Sequence, residues 1–328
     1  MSKGSKHPTM KDVARLAGVS LGTVSKVFNG IAVGDEYKTK VEAAAKSLGY
    51  QVNVYARGLR ANKTRTVAVI LPNVINPFYS NMADYCCRRL SERGYRMILA
   101  TTSFDPHTEQ ACVDMVQQNK VDGIIAITYN PELEVNEDIP FVIIDRKFNS
   151  NITCISSDNY TGGQLAAEKL IEKGCNNLLF IEISSHVPGE ADKRSIGFEA
   201  YCNAHSIKCT IHRVWEEDGI DEIFNFLGKS ISNNKFKFDG IFCATDTLAV
   251  QTIDYLNDAS ISVPDDVQII GYDGIKIFGL DKYPCSTIEQ PLEQMAITAV
   301  DVLLGDKDSN HPALICLPVE YREGGTTK

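Results

Sequence analysis

No apolar run in these 328 residues is long enough to span a bilayer, and no secretory leader precedes the first helical pattern. The expectation is a cytoplasmic protein, neither membrane-bound nor a secreted solute-binding protein. The ten cysteines form no Cys-x-x-Cys pair, and none stands with histidine at metal-ligand spacing. Zinc sites and redox dithiols are thereby disfavoured, and reduced thiols are expected. Cys86 and Cys87 are adjacent in a helical stretch, where core packing or chance is the expected reading. A glycine-rich dinucleotide fingerprint is missing too, so neither cofactor nor metal is expected. No leucine-rich heptad tail follows Tyr321 to support a tetramer. Tryptophan occurs once, at position 215.

Positive charge is scarce overall, with 33 Lys and Arg against 42 Asp and Glu and a net charge of −9. Its placement is uneven. Residues 1–65 hold twelve Lys and Arg against four Asp and Glu, a balance of +8, which leaves −17 on the remainder. A basic head on an acidic body is the electrostatic footprint of nucleic acid binding confined to one end.

Within that head, residues 9–30 carry two short amphipathic helices joined by Gly-Val-Ser. Thr9 and Asp12 have the spacing of a capping pair, and Val13, Leu16 and Ala17 give the first helix one apolar face. Gly18 suits the turn, and Ser20 suits the cap of the second helix. Val24, Val27 and Phe28 then face inward, leaving Thr23, Ser25, Lys26 and Asn29 outward as short donors and a cation suited to bases and phosphates. This is the sequence form of a helix-turn-helix. A third helix is expected over 37–48, with Val41, Ala44, Ala45 and Leu48 on one face and Gly49 ending it. Beyond it, Asn53 suits the cap of a short helix reaching about 61, which Gly58 weakens by roughly 1 kcal/mol. Such a helix is too short to stand alone and should form only when DNA or a partner supports it. Arg57 and Arg60 would supply phosphate or minor-groove contacts, and a plain linker is the alternative.

From residue 66 onward, strand-like runs at 67–71, 97–100, 123–127 and 141–144 alternate with amphipathic segments such as 78–93 and 108–118. The pattern resumes with runs at 177–183, 209–214, 240–243 and 267–270. Two series of β-α-β units imply an α/β body of two doubly wound parallel sheets. Ligands in such sheets bind beyond the carboxyl ends of the strands. The polar and aromatic residues there form a coherent set: Asn76 with Phe78 and Tyr79, Asp145 with Arg146, Thr245 with Asp246, Asp273, and Arg194 on a later helix. Carboxylates accept from neighbouring hydroxyls, arginines donate to ring and hydroxyl oxygens, and aromatic faces cover C–H faces of a sugar. Trp215, just past a strand, is either such a face or an ordinary half-buried tryptophan. Asp246 opens a helix, so capping is expected of it in preference to ligand contact.

The words Asp-Val-Ala, Ala-Gly-Val-Ser, Thr-Val-Ser and Val-Phe-Asn in the head resemble the lactose/galactose repressor family. Asn-Pro-Phe-Tyr, Ile-Asp-Arg, Arg-x-x-Gly-Phe, Gly-Tyr-Asp-Gly and Thr-Ile-Glu-Gln-Pro continue that resemblance through the body, which is also similar to periplasmic sugar-binding proteins. The resemblance implies a helix-turn-helix head over 1–52, a hinge helix over 53–64 and a two-lobed effector-binding and dimerisation body over 65–328. Leu59 matches the family's leucine wedge, which inserts into the minor groove and kinks the duplex. Gln290 joins Asn76, Phe78, Tyr79, Asp145, Arg146, Arg194 and Asp273 around an effector cleft, with the chain crossing between lobes near 158–161, 290 and 318. The implied function is a repressor that binds a palindromic double-stranded operator as a homodimer and responds to a small sugar such as a free monosaccharide. Leu21 and Gly22 replace larger or polar residues at the opening of the reading helix, Val52 replaces a common proline, and Thr245 replaces a common Asn.

The alternative is a sugar-binding or sugar-processing protein without a regulatory role. Asp145 and Asp273 as an acid–base pair would suit a glycosidase. However, such an enzyme needs no basic helix-turn-helix, and Arg146 and Arg194 would hold both carboxylates ionised. No enzymatic activity is therefore expected. The wedge assignment makes Leu59→Ala weaken specific operator binding by about 1–3 kcal/mol more than non-specific binding, because the kink depends on a deformable step. Gel-shift titration on operator and random duplexes checks this, and equal losses on both contradict it.

Overall fold

A computed structural model describes residues 8–28, 31–50, 64–146, 152–277, 279–305 and 311–328. The chain divides into two compact units, Met1–Thr64 and Arg65–Lys328. Asn29 and the whole expected segment of Asn53, Arg57, Leu59 and Arg60 lie outside the described residues.

The first unit contains α1 (Met10–Ala17), α2 (Leu21–Phe28) and α3 (Asp35–Leu48). Thr9 and Asp12 form a full capping box: the Thr9 N–H donates to Asp12 Oδ2 at 2.9 Å, and the Asp12 N–H donates back to Thr9 Oγ1 at 3.4 Å. Gly18 ends α1 at φ 65°, in the left-handed region, and the Val19 N–H reaches back to the Ala14 carbonyl. Ser20 Oγ accepts the Thr23 N–H at 3.1 Å and so caps α2. Val13, Ala14, Val24, Val41, Ala44 and Ala45 make the core, with Val27, Phe28 and Leu48 packed against it. Leu16 does not belong to it and is 54% exposed. At about 100° per residue, positions 13, 14 and 17 span one face, whereas 16 falls outside that arc.

The second unit is two parallel-rich sheets through which the chain passes alternately. Its first half runs β1 (Thr66–Leu71), α4 (Pro77–Glu92), β2 (Arg96–Thr101), α5 (Pro106–Gln118), β3 (Gly123–Ala126), β4 (Phe141–Ile144) and β5 (Thr153–Ser157). Then come α6 (Asn159–Glu172), β6 (Asn177–Ser184), a 3-10 turn (Glu190–Asp192), α7 (Lys193–Ala204), β7 (Lys208–Trp215) and α8 (Ile220–Lys229). A small hairpin of β8 (Ile231–Ser232) and β9 (Lys235–Phe236) precedes β10 (Gly240–Cys243), α9 (Asp246–Asp258), β11 (Gln268–Asp273) and β12 (Ser286–Glu289). The chain ends with α10 (Leu292–Leu304), β13 (Leu314–Leu317) and β14 (Glu320–Arg322).

One sheet has the order β13-β5-β4-β3-β1-β2 and the other β14-β12-β11-β10-β6-β7, with only β14 antiparallel. Central strands such as β1 are buried on both faces, because helices cover each side of a parallel sheet. The order makes the crossings explicit. After β5 the chain leaves the first sheet, and α6 packs on α7. After β12 it returns, with α10 packed on α4 and β3. Between β13 and β14 it crosses again. These are the three crossings that the family resemblance implies.

Strands β5, β12, β13 and β14 escape the hydrophobic pattern because they are short and partly polar. Helices α6 and α7 approach unusually closely, since a Cβ at Gly163 would lie 2.1 Å from the Arg194 carbonyl oxygen and one at Gly197 only 2.0 Å from that of Tyr160. Glycine is required at both points for want of space. Gly163→Ala is expected to destabilise the second unit by about 1–3 kcal/mol in urea unfolding. Gly22→Ala, where a Cβ meets nothing closer than 3.7 Å, should instead stabilise the head by up to about 1 kcal/mol.

Candidate functional site

The carboxyl ends of both sheets open onto one cavity of about 230 Å³ between the two lobes. That is below the roughly 300–1,000 Å³ typical of drug-sized ligand sites and fits a small polar molecule. Asn76, Phe78, Tyr79, Asp145, Arg146, Arg194, Thr245, Asp273 and Gln290 all line it. Asn76 is also the cap of α4, its side chain accepting the Phe78 N–H at 3.0 Å. Asp145 and Asp273 hold backbone φ angles of 60° and 130°. Such strain costs on the order of 1–3 kcal/mol each and persists only where neighbours fix it. Here the Asp145 N–H donates to the Ile155 carbonyl at 3.0 Å, and the Gln290 N–H donates to the Asp273 carbonyl at 3.1 Å.

Two chains of buried hydrogen bonds tie the site to the crossing strands. Asn159 Nδ2 donates to Ser156 Oγ at 3.0 Å, Ser156 Oγ donates to Asp145 Oδ1 at 2.8 Å, and Arg194 Nε donates to Asn159 Oδ1 at 2.8 Å. In the second chain Ser157 Oγ donates to Gln290 Oε1 at 2.7 Å, and Gln290 Nε2 donates to Asp273 Oδ1 at 2.8 Å. The guanidinium of Arg146 lies 3.8 Å over the Tyr129 ring, and that of Arg194 lies 3.7 Å over Tyr272. Both are therefore pinned.

Three expectations need correction. Trp215 does not line the cavity; its ring stacks on His186 at 4.3 Å between centroids. Successive strand side chains point to opposite faces, so Glu216 is the residue at the end of β7 that lines the cleft. Asp246 is not the cap of α9. Thr245 caps it, its Oγ1 accepting the Leu248 N–H at 3.1 Å, while the buried Asp246 carboxylate accepts from Thr287 Oγ1 at 2.5 Å and the Ile275 N–H at 2.8 Å. Finally, the arginines do not hold the carboxylates at low pKa. Burial outweighs Arg194 and pushes Asp145 above its ordinary range and Asp273 to about 8.

The cavity also takes in Phe104, Tyr129, Ser184, Ser185, Glu182, Asp192 and Glu216. Phe104 meets the Tyr129 ring edge-on at 4.8 Å, and Tyr79 and Tyr129 hydroxyls lie 3.1 Å apart. The rule of strand carboxyl ends, applied to β2, β3, β6 and β7, would have found most of them.

On the head, Leu21, Gly22 and Lys26 of α2 are exposed. Thr23 and Ser20 share a hydroxyl–hydroxyl contact at 2.9 Å, and Ser25 is partly covered. The second helix thus exposes Leu21 and Gly22 at its start and one cation, Lys26, near its end.

Residues 9–53 match the family of bacterial regulatory proteins, lacI family, and residues 167–327 match a periplasmic binding protein-like domain. The chain is 32% identical over 325 residues to the sucrose operon repressor of Pediococcus pentosaceus, covering 97% of this chain and 99% of that one. The chain belongs to the lacI family of bacterial regulatory proteins. It is also 31% identical over 309 residues to the ribose operon repressor of Escherichia coli (strain K12), covering 90% of this chain and 92% of that one. A periplasmic binding protein/LacI transcriptional regulator from Alkaliphilus metalliredigens QYMF, solved with D-xylulofuranose, is 28% identical with a TM-score of 0.68, covering 80% of this chain and 99% of that one. This lacI-family protein is a DNA-binding transcriptional regulator. Among the described residues, no helix is long and apolar enough to cross a membrane.

The displaced carboxyl of this lacI-family regulator gives a pH signature. Asp273 keeps its proton to about pH 8 in the fold, against an ordinary value of 3.8, so between those pH values the folded state binds the extra proton. Stability conferred by that proton falls as pH rises through the window, by at most about 1.4 kcal/mol per pH unit. Asp246, raised to about 6, contributes below that pH. Thermal unfolding between pH 6 and 8 should therefore show a decline that Asp273→Asn flattens; an unchanged slope in the variant contradicts the assignment.

Proposed function

We propose that the protein represses transcription by binding a palindromic double-stranded operator as a cytoplasmic homodimer, with a monosaccharide in the interlobe cleft setting its operator affinity. The observation that carries this is the small cavity with Asp145 and Asp273 at its two sides, each bonded into a crossing strand. A carboxylate accepts from paired sugar hydroxyls, and the protonated Asp273 side chain can donate as well as accept. Phe78, Tyr79, Phe104 and Tyr129 offer rings against the C–H faces of a pyranose or furanose. The names of the sucrose and ribose operon repressors, and the furanose in the solved relative, support the same ligand class.

At the other end, Thr9, Ser20, Thr23, Ser25 and Lys26, with Leu21 and Gly22 as the close-approach surface, would meet the major groove. Asn29, Asn53, Arg57, Leu59 and Arg60 complete the DNA-facing set proposed from sequence. In this reading Asp145 and Asp273 serve as ligand contacts, each held by a hydrogen bond from Ser156 or Gln290, with Arg194 bonded to Asn159 and the Ala244 carbonyl beside them. The sugar acts only insofar as it binds one lobe arrangement better than the other, and the difference is passed to the operator as a coupling free energy.

Asp273→Ala is expected to weaken the effector by about 10- to 100-fold, since a buried hydrogen-bonding group to a polar ligand contributes roughly that much. The sugar-dependent change in operator affinity should shift to correspondingly higher concentration. A gel-shift titration against sugar concentration measures it. An unchanged dose–response removes Asp273 from the site, and failure to shift any genomic fragment with or without sugar contradicts the regulator itself.

A further inference from the structure

The turn from α7 into β7 brings two cysteines together. Cys202 lies one helical turn beyond Phe198 on α7, and both side chains are fully buried against the second sheet. The Cys202 carbonyl accepts the Ile207 N–H at 2.9 Å, and Ser206 turns the chain back at φ 56°. β7 then begins at Lys208. Alternation along that strand puts Cys209 and Ile211 on the face that α7 covers, packed against the cluster to which Cys202 belongs. Val214, of opposite parity, packs on the other face. The Cys202 and Cys209 thiols are hydrogen-bonded to one another. Their separation along the chain hides the pair from a search for Cys-x-x-Cys. We propose that Cys202 and Cys209 form a thiol-oxidation site, which a hydroperoxide converts to an intramolecular disulfide bridging α7 and β7.

Cys209 is the attacking thiol. It is half-buried on the edge strand β7 with exposed Ser206 and Lys208 nearby, which gives a molecule the size of hydrogen peroxide a short approach. The hydrogen bond from Cys202 holds its thiol below the ordinary range, against the pull of burial and of the Glu199 carboxylate. Burial pushes Cys86, Cys175, Cys243 and Cys285 the other way. The Cys209 thiolate attacks one peroxide oxygen, the O–O bond breaks, and the departing hydroxide is protonated to water. The sulfur has given up two electrons and is now a sulfenic acid. Cys202, fully buried beside it, is the resolving thiol. Its sulfur attacks that of Cys209, the S–O bond breaks, and the leaving hydroxide takes the Cys202 proton. Two thiols and one peroxide thus become one disulfide and two waters.

Hydrogen-bonded sulfurs close to a bond of about 2.0 Å with little side-chain movement. In a reducing compartment the dithiol is the resting form and the bridge is transient. The bridge closes residues 202–209 into a loop and removes freedom from the unfolded chain. It also ties together the far ends of two elements whose other ends reach the cleft, through Arg194 at the start of α7 and Glu216 just after β7.

The test treats full-length protein with a modest excess of hydrogen peroxide, blocks remaining thiols, and reads intact mass and a non-reducing peptide map. The expected product has lost about 2 Da, holds a Cys202–Cys209 cross-linked peptide, and reverts with dithiothreitol. Its thermal midpoint should lie about 2–6 °C above that of the reduced protein. Cys202→Ala should instead leave Cys209 as a sulfenic acid that dimedone traps, and Cys209→Ser should leave Cys202 unoxidised. The wild-type peptide map decides the matter even where Cys202→Ala fails to fold. An unchanged mass overturns the proposal, as do bridges through the exposed Cys87 or Cys316 in place of the Cys202–Cys209 bridge. So does Cys209→Ser protein that oxidises at Cys202 as fast as the wild type. A bridged protein with an unchanged midpoint overturns the constraint on the second lobe.

Discussion

Polar side chains of the crossing strands hold the lobes together at the point where a ligand would sit. Ser156 and Ser157 end β5, and each hydroxyl is fully buried. One is bonded to Asp145 on the first sheet and, through Asn159, to Arg194 on the second lobe. The other reaches Gln290, just past β12, and through it Asp273 at the end of β11. Two adjacent residues on one strand therefore tie both candidate carboxyls to two of the three crossings. A buried hydroxyl or amide left unbonded costs roughly 1–3 kcal/mol, so each link constrains the next. Movement of either lobe must exchange these bonds in concert, which is what a switch with two arrangements requires.

The same bonds explain why two non-glycine residues can sit at positive φ. Asp145 and Asp273 each occupy a strained turn at a strand end, and the backbone of a neighbouring crossing segment is bonded to each. Close packing of α6 on α7, which glycine at 163 and 197 permits, then brings the Arg194 guanidinium over Tyr272 at the same level. Position and charge are coupled in this way. Burial raises Asp273 to about 8, and the cleft consequently carries less negative charge near neutrality than its residue list suggests.

Much of this was legible in the sequence, and the parts that were not share a physical cause. The Thr9–Asp12 box, the Gly18 stop, the Ser20 cap and the strongly apolar strands are local features, and they appear where the pattern places them. Asp145, Arg146 and Asp273 were found because they directly follow such strands. β5 was missed because its buried serines have partners far away in sequence; Ser157 and Gln290 are 133 residues apart. Helical angle decides between Ala14 and Leu16, and strand alternation between Trp215 and Glu216, each a one- or two-residue distinction. The displaced pKa values were beyond pattern reading altogether, since they depend on how completely the folded cleft excludes water. Glu109, in the first turn of α5, is likewise buried and accepts the Tyr129 N–H at 3.0 Å from 20 residues away in sequence.

The central claim is that cleft and head share one equilibrium. Linkage requires that a sugar change operator affinity by the same factor by which operator changes sugar affinity. Sugar binding measured calorimetrically on free and on operator-bound protein, beside operator binding measured with and without saturating sugar, yields both factors from one preparation. The account predicts two equal factors clearly different from one. Sugar affinity identical in the free and operator-bound protein contradicts it.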